Sequence, residues 1–225
     1  MPGTDLLLLT IYFLCVTYVL YQIINSFNDE FTIKFEKGEL ETTLEKLKIK
    51  DRLEVGFSFD GRYEFDKLKE LSISVKNKSE EFPLYVDWDL STVTDLDGKA
   101  RRVTRLTPGL TADMFQTQAF SAVTPGTTLK EKIVAEDMLG RKGDKDELEI
   151  KKTIVDLSKP KKPGAALTRY QNFIAHEQTV DFYLDLVLRL VDKDTPVTGY
   201  PTRVRCKFVL SKLKWQAGLP WNPKK

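Results

Sequence analysis

The segment that begins at Leu71 and ends at Gly98 alternates apolar and polar residues, and it constrains the fold more than any other part of the chain. Such a period of two is typical of strands with one buried face. Pro83 divides the segment, at a position where a strand tolerates a missing N–H. The apolar positions are Leu71, Ile73 and Val75, then Leu84, Val86, Trp88 and Leu90. The segment therefore predicts two strands with a common buried core.

Trp88 is the largest side chain on these two apolar faces, and we predict that it lies at the centre of the core. A ligand-binding platform is the alternative role for a single Trp in an alternating strand. Asp87 and Asp89 alternate with Trp88 and are expected on the opposite, solvated face, because burying two carboxylates without partners is costly. Asp97-Gly98 predicts a tight hairpin turn, which requires a positive φ.

This segment resembles an immunoglobulin-like β-sandwich of uncharacterised bacterial envelope proteins, and more distantly the β-sandwiches related to late-embryogenesis proteins. The matching residues are Asn77, Ser79, Trp88, Asp89, Ser91, Asp95 and Gly98, and Pro125-Gly126 fits a second part of the pattern. The resemblance implies a fold and, since many such proteins carry an N-terminal anchor, a membrane location. It implies no activity. Cys15 lies inside the apolar run rather than after it, so the chain lacks the lipobox of a lipoprotein.

Period-two alternation recurs in most apolar segments after residue 50 and predicts a mainly β, antiparallel, two-layer sandwich. The predicted strands cover residues 31–35, 52–60, 101–106, 129–135, 148–157, 182–190 and 204–210, and the last two form a hairpin. Residues 101–106 are basic and are expected at a sheet edge. Residues 37–50 suggest a short helix or a ragged strand pair, and residues 167–177 a short helix. Residues 107–118, 140–145 and 158–164 are predicted loops.

An apolar run begins at Leu6 and ends at Ile24, and only Thr10, Thr17 and Gln22 interrupt it with polar side chains. As a helix it would extend about 28 Å, close to the thickness of a bilayer core. A cleaved signal peptide is the alternative, but no Lys or Arg precedes the run and no cleavage-site pattern follows it. We therefore predict one transmembrane anchor in residues 1–30, a β-sandwich domain in residues 31–215 and a surface tail in residues 216–225.

The side of the membrane on which the domain lies stays open. Lys34 and Lys37 follow the apolar run and favour the cytoplasm by the positive-inside rule, whereas the envelope-protein resemblance favours the other side. All 35 basic residues lie at or after Lys34, and so do all but three of the 33 acidic residues. Such even mixing argues against nucleic-acid binding, which clusters basic charge on one face. Cys15 and Cys206 are not expected to pair.

Four carboxylates, Asp87, Asp89, Asp95 and Asp97, lie close enough in sequence to suggest a Ca²⁺ site. The spacing lacks the glycine and the final glutamate of an EF-hand loop, so strand and turn solvation is the favoured explanation and we predict no metal site. Asn77-Lys78-Ser79 matches a glycosylation sequon but is interpreted as a turn. We predict no catalytic or cofactor-binding residues, because no nucleotide-binding or nucleophile motif occurs in the sequence.

His176, the only histidine, is expected at the surface, and Cys206 is expected to be an inert core thiol. Two basic groups could contact anionic lipid headgroups, although a solvated face is the commoner explanation. They are Arg101, Arg102 and Arg105, and Lys159, Lys161 and Lys162. Our functional hypothesis is a membrane-anchored structural or protein-interaction module. The alternative is a hydrolase or metal-dependent enzyme with a site assembled from distant loops, which would require His176 to meet Asp87 or Asp89 in one pocket.

Overall fold

The computed structural model describes residues 3–26, 30–106, 117–141, 143, 147–193 and 199–218. The helices are α1 (Gly3–Ser26), α2 (Lys37–Lys46) and α3 (Ala165–Ile174). The strands are β1 (Glu30–Phe35), β2 (Leu53–Ser58), β3 (Tyr63–Glu64), β4 (Leu71–Asn77), β5 (Leu84–Thr94), β6 (Ala100–Arg105), β7 (Ser121–Val123), β8 (Thr128–Ala135), β9 (Leu139–Arg141), β10 (Leu148–Ile150), β11 (Val180–Leu190) and β12 (Tyr200–Lys212). Single 3₁₀ turns cover Glu136–Met138 and Trp215–Gly218.

Ten of these strands form one curled antiparallel sheet, in the order β2-β4-β8-β6-β5-β11-β12-β1-β3, with β7 paired to the start of β5. β9 and β10 form a separate two-stranded ribbon. The prediction of a mainly β, antiparallel protein with one N-terminal apolar helix is confirmed. Its finer assignment to the immunoglobulin-like sandwiches stays a prediction.

β6 lies inside the sheet and turns it through a corner. Residues 100–102 pair with β5, whereas residues 103–105 pair with β8, so the strand passes from one half of the sheet to the other. Corners of this kind are made by strands that change neighbours along their length. The expectation that residues 101–106 form an exposed edge strand is therefore wrong, because β6 lies between β8 and β5 in the strand order and its arginines have partners within the domain.

The two halves of the curled sheet meet at a cluster of aromatic side chains. Phe57 on β2, at one end of the strand order, lies 4.7 Å from Phe208 on β12 and 4.8 Å from Phe35 on β1, measured between ring centroids. Phe182 on β11 stacks on Phe208 at 4.8 Å. Aromatic pairs at these distances contribute about 0.5–1.5 kcal/mol beyond the area they bury. The cluster thus packs β2, at one end of the strand order, against β1, β11 and β12, which lie towards the other end.

The predicted hairpin near the end of the chain is confirmed as the longest pairing in the sheet, since β11 and β12 remain in register from Val180 opposite Leu210 to Leu190 opposite Tyr200. Gly199, which precedes β12, has a φ of +66° and lies so close to Leu190 that a Cβ would be 2.6 Å from its carbonyl oxygen. Only glycine fits this position without displacing the backbone.

The segment predicted as a strand over residues 148–157 is strand only in β10. Its remaining residues are irregular, yet Ile154, Val155 and Leu157 are buried. Their backbone bonds to a neighbouring loop, with Ile154 N donating to Leu68 O at 2.8 Å. Apolar loop residues that pack into a core can show the same alternation as a strand over a short window.

The other local predictions have mixed outcomes. Residues 37–46 of the ambiguous stretch form α2, whose Leu40 and Leu44 are buried, and α3 supplies the predicted second helix. Residues 158–164 form a surface segment, as expected, in which Pro160 is half-buried and the others are exposed. Most of the predicted loop 107–118, residues 142 and 144–146, and Trp221 and Pro223 of the predicted tail lie outside the described residues.

α1 is predominantly apolar, and its apolar window is not packed on the β domain. The window Thr4–Ile23 has a mean hydropathy of 2.0 and none of it is buried. Its length and composition are sufficient to cross a membrane, and a signal sequence would satisfy the same criterion.

Candidate functional site

β5 contains a wide bulge that changes the positions of the predicted acidic residues. Val187 and Asp185 of β11, two residues apart, pair with Asp87 and Thr92, which are five residues apart on β5. The three extra residues lie between Trp88 and Thr92, and the burial pattern shifts there by one position. Leu84, Val86 and Trp88 are buried before the bulge and Ser91 and Val93 after it. Leu90, predicted in the core, is 48 % exposed because the bulge removes it from the alternation.

Trp88 is fully buried, as predicted, and its polar edge is satisfied. Its Nε1 donates to Ser121 Oγ at 2.9 Å, and the Arg105 guanidinium lies 6.0 Å from the indole centroid. Arg105 Nη1 also donates to Ser121 Oγ at 3.1 Å. The indole therefore faces protein groups only, and the alternative role as an exposed binding platform is excluded by its burial.

Asp87 is 1 % exposed, so the expectation that it lies on a solvated face is wrong. Its carboxylate accepts from Arg189 Nε at 2.8 Å and pairs with Arg189 Nη2 at 2.8 Å, while its other oxygen accepts from Leu90 N at 3.2 Å. The Arg189 guanidinium stacks over Phe120, 4.7 Å from the ring centroid. Burial of this carboxylate is tolerated because an arginine and a backbone N–H of the bulge both bond to it.

The other three carboxylates each meet a different arginine. Asp89 accepts from the backbone N–H of Gln118 at 3.0 Å and lies 3.6 Å from Arg102. Asp95 closes the β5–β6 turn by accepting from the N–H groups of residues 97 and 99, and it lies 3.7 Å from Arg101. Asp97 pairs with Arg169 of α3 at 2.7 Å. The four side chains are thus separated by arginines, and the described residues contain no group of three or more metal-ligating side chains.

Asp95, Asp97, Arg101 and Arg169 line a polar cleft of about 140 Å³ between the β5–β6 turn, residues 153–156 and α3. Arg101 is nearly buried there, and its Nη2 donates to the carbonyl of Ile154. The cleft joins α3 and the loop that covers the core to the sheet, so its charges act within the protein.

The arginines that were considered for lipid contact mostly serve these internal contacts. Arg102 pairs with Glu136 at 3.1 Å as well as with Asp89, and Arg105 reaches Ser121 and the carbonyl of residue 119. By contrast, the loop lysines Lys159, Lys161 and Lys162 are exposed. The lipid hypothesis therefore depends on the loop lysines alone.

His176 is exposed and lies after the last turn of α3, where its backbone has a φ of +61° and its N–H donates to Phe173 O at 3.1 Å. It therefore terminates the helix in a left-handed conformation. Within the described residues its side chain makes no hydrogen bond or ion pair with Asp87 or Asp89. Cys206 is fully buried, and this burial raises the pKa of its thiol far above the ordinary value. A thiol in such surroundings is a poor nucleophile.

Asn77 is 1 % exposed, and its amide connects three segments. Nδ2 donates to the carbonyls of Phe82 and Val123, both at 2.9 Å, while Oδ1 accepts from the N–H of Ser79 at 2.9 Å. The sequon therefore serves as a turn, as predicted, and its amide is inaccessible to a glycosylating enzyme in the folded protein.

A groove of about 700 Å³ crosses the outer face of β2, β4 and β8, where the sequence suggested no site. Its floor consists of two cross-strand rows with side chains on that face. The rows are Gly56, Ser74 and Lys130, then Ser58, Ser72 and Lys132. The lining also includes Leu106 and the residues between these rows, Phe57, Ile73 and Glu131.

Sequence reasoning missed this groove because serines that alternate with apolar residues are normal for a solvated face. The available signal was size rather than polarity, since four small residues on two neighbouring strands leave a depression where long side chains would fill the surface. The volume falls in the usual range of about 300–1,000 Å³ for ligand sites.

No family model matches the chain, and no curated protein or solved structure is significantly similar to it.

Proposed function

We propose that the chain is a single-pass membrane protein whose β domain acts as a structural or protein-interaction module next to the bilayer. The observation that carries this proposal is the exposure of the apolar window Thr4–Ile23 of α1, none of which is buried. Leu6, Leu7, Leu8 and Leu14 are each at least 60 % exposed. Covering one such side chain contributes about 1.5–3 kcal/mol, whereas a whole domain is stable by only about 5–15 kcal/mol. A bilayer supplies the cover that the β domain does not give.

The domain must lie close to that bilayer, because only residues 27–29 separate the end of α1 at Ser26 from the start of β1 at Glu30. An extended chain spans at most about 3.6 Å per residue, so this connection holds the sheet within roughly 15 Å of the helix end. Such a tether suits a protein that presents a folded surface at the membrane.

The interaction role is supported by two exposed apolar side chains near the bulge. Leu90 and Phe120 are 48 % and 41 % exposed, and both contact the buried Asp87–Arg189 pair, which fixes their positions. Exposed apolar side chains held by a rigid support are typical of protein-binding surfaces. The described residues bring His176 together with neither Asp87 nor Asp89, so no observation favours the enzyme alternative.

Membrane insertion is tested by the partition of the full chain after alkaline extraction of membranes. The wild-type chain is expected to stay with the lipid, and Leu14→Arg is expected to release it because an arginine at the centre of a spanning helix is costly. Leu47→Arg is the matched control, since Leu47 is an exposed leucine of the β domain. A mature protein that begins after residue 24 or is recovered in the soluble fraction would overturn the anchor.

The interaction surface is tested separately with a photo-crosslinking amino acid placed at residue 90 or, as control, at residue 47. Both positions are exposed leucines, but only residue 90 lies beside the bulge. Specific adducts from position 90 and none from position 47 are expected. Equal labelling from both positions would remove the support for this surface.

A further inference from the structure

The apolar helix joins the β domain at one end of the sheet, where β1 starts and β12 ends. Glu30 is the first residue of β1, and its carbonyl accepts from the N–H of Leu213, directly after β12, at 3.0 Å. β11 starts at the same end, since Val180 pairs with Leu210. We call this the anchor end. If α1 spans a membrane, the anchor end is the part of the domain nearest to the lipid, because only residues 27–29 lie between them.

Residues 158–164, which we call the lysine loop, lie at the anchor end. Leu157, directly before the loop, donates its N–H to the carbonyl of Phe65 at 3.4 Å. Between ring centroids, Phe65 lies 6.3 Å from Phe31 on β1 and 6.0 Å from Phe173 on α3, the helix that follows the loop. Both flanks of the loop therefore contact the residue that packs on the start of β1.

Pro160 fixes the middle of the lysine loop on the protein. It is half-buried and lines a small cleft with Leu157, Tyr170 and Phe173. The three lysines that flank it are exposed and have no ion pair with any described residue. They are Lys159, Lys161 and Lys162. The loop thus presents three ammonium groups to the exterior from a backbone that is already positioned, which lowers the entropy lost on binding.

The positive charge of the anchor end is concentrated at this loop. No acidic residue occurs in residues 157–176, whereas the same stretch contains the three loop lysines and Arg169. Asp156, directly before it, accepts from a backbone N–H of the loop at 2.8 Å, and Asp97 pairs with Arg169 at 2.7 Å. The neighbouring segment of residues 59–70 has four acidic and three basic residues, so its charges nearly cancel. The lysine loop is therefore a basic patch next to the point where the helix joins the sheet.

We propose that Lys159, Lys161 and Lys162 contact the anionic headgroups of the membrane in which α1 is anchored. This inference rests on the proposed membrane anchor and adds the face of the domain that lies against the lipid. A lysine near an anionic membrane surface strengthens attachment by about fivefold. Because salt screens this attraction beyond about 8 Å, it requires a short connection to the membrane. Lipid is favoured over an acidic protein, since the tether keeps lipid beside the loop at a high effective concentration.

The test uses the full chain in nanodiscs, with a fluorescent amino acid at residue 163, an exposed position of the lysine loop. A lipid with a nitroxide on its headgroup quenches this fluorescence only when residue 163 comes close to the headgroups. Nanodiscs of phosphatidylcholine alone are compared with nanodiscs that also contain phosphatidylserine. Quenching is expected to rise at least twofold with phosphatidylserine, and high salt is expected to abolish the rise.

The contact is assigned to the lysines by a triple variant that carries Lys159→Ala, Lys161→Ala and Lys162→Ala. We expect this variant to lose the rise in quenching with phosphatidylserine. Circular dichroism verifies its fold, which should be intact because none of the three lysines has an ion pair within the described part of the chain.

A second triple variant removes the same charge from the opposite end of the domain and is the matched control. It carries Lys46→Ala, Lys48→Ala and Lys193→Ala, three exposed lysines that also lack ion pairs with the described residues. Arg52 Nη2 donates to the carbonyl of Val191 at 2.7 Å, which places the end of α2 and the residues after it near the β11–β12 turn. The control is expected to keep the rise.

Equal quenching of the wild type in both lipid mixtures, or equal loss of the rise in both triple variants, would overturn the lipid contact. Failure of the anchor gives a different result, because a chain without a membrane span is not recovered with the nanodiscs in either lipid mixture. That outcome would overturn the anchor and the lipid contact together. A chain recovered with both mixtures but insensitive to phosphatidylserine would keep the anchor and contradict the lipid contact alone.

Discussion

Two buried carboxylates on the outer side of the sheet are each held by one arginine. Asp87 is paired with Arg189, and Asp185, 4 % exposed, accepts a bidentate contact from Arg205 at 2.8 and 3.0 Å. Removal of one partner from such a pair typically costs about 3–5 kcal/mol, because the other charge stays buried, whereas replacing both by apolar residues is often neutral. These pairs therefore specify the local conformation more than they stabilise the fold.

Trp88→Ala is expected to destabilise the β domain by about 3–5 kcal/mol, the cost of emptying a large aromatic site. Phe120→Ala is the matched control, because Phe120 is an aromatic residue directly before β7 that is 41 % exposed. Its loss is expected to change stability by less than about 1 kcal/mol. Urea denaturation followed by circular dichroism measures both variants. Equal midpoints for the two variants would contradict the central position of Trp88.

The identity of the core residues could be predicted from sequence where alternation is uninterrupted, as for Leu71, Ile73 and Val75. The prediction failed at Leu90, because hydrophobicity does not reveal a bulge of three residues. After Trp88 in the local sequence W-D-L-S-T, the buried positions could continue regularly at either the even-numbered or the odd-numbered residues. The burial of Asp87 was missed for a related reason. Its partner Arg189 is 102 positions away in the chain, and a single sequence contains no information on which distant arginine compensates a carboxylate.

At the scale of the element, the bulge in β5 is stabilised by Ser91. Its hydroxyl donates to the carbonyl of Asp87 at 2.6 Å and accepts from the N–H of Val187 at 3.0 Å. The hydroxyl thereby replaces the strand carbonyl that the bulge has displaced. Both Ser91 and Val187 are buried, so this N–H would otherwise have no acceptor and no water.

Ser91→Ala is expected to cost about 1–3 kcal/mol, the desolvation penalty of a buried unsatisfied group. Amide hydrogen exchange at Val187 is expected to accelerate in the same variant. Ser74→Ala is the control, since the Ser74 hydroxyl has no hydrogen-bond partner within the described residues. The role of Ser91 would be contradicted if both variants melted at the same temperature with unchanged exchange at Val187.

The position of the corner strand β6 within the sheet could not be predicted from the local sequence either. Its residues Arg101 and Arg102 suggested solvent exposure, because consecutive arginines usually lie on a surface. Their charges are instead matched by carboxylates of the turn after β5 and of the 3₁₀ turn after β8, as in the pair of Arg102 with Glu136. A strand with neighbours on both edges can therefore be rich in arginine when acidic turns surround it.

At the scale of the whole molecule, the sheet starts directly after the anchor. Glu30 accepts a hydrogen bond from the N–H of Leu213 at 3.0 Å, and Phe31 is fully buried. β1 lies between β12 and β3, so it belongs to the folded sheet rather than to the tether. α1, by contrast, contributes no buried residue in its apolar window. The boundary between anchor and domain therefore falls within residues 27–29.

A chain consisting of residues 30–225 is expected to be soluble and to unfold cooperatively with a β-type circular dichroism spectrum. Cys206 would be its only thiol, and burial combined with the raised pKa should protect it from a maleimide until the domain unfolds. A chain of residues 36–225 is the control. It lacks β1 and the buried Phe31, so we expect it to be labelled rapidly. Rapid labelling or aggregation of the longer chain would show that the domain depends on α1, contrary to the exposure of that helix.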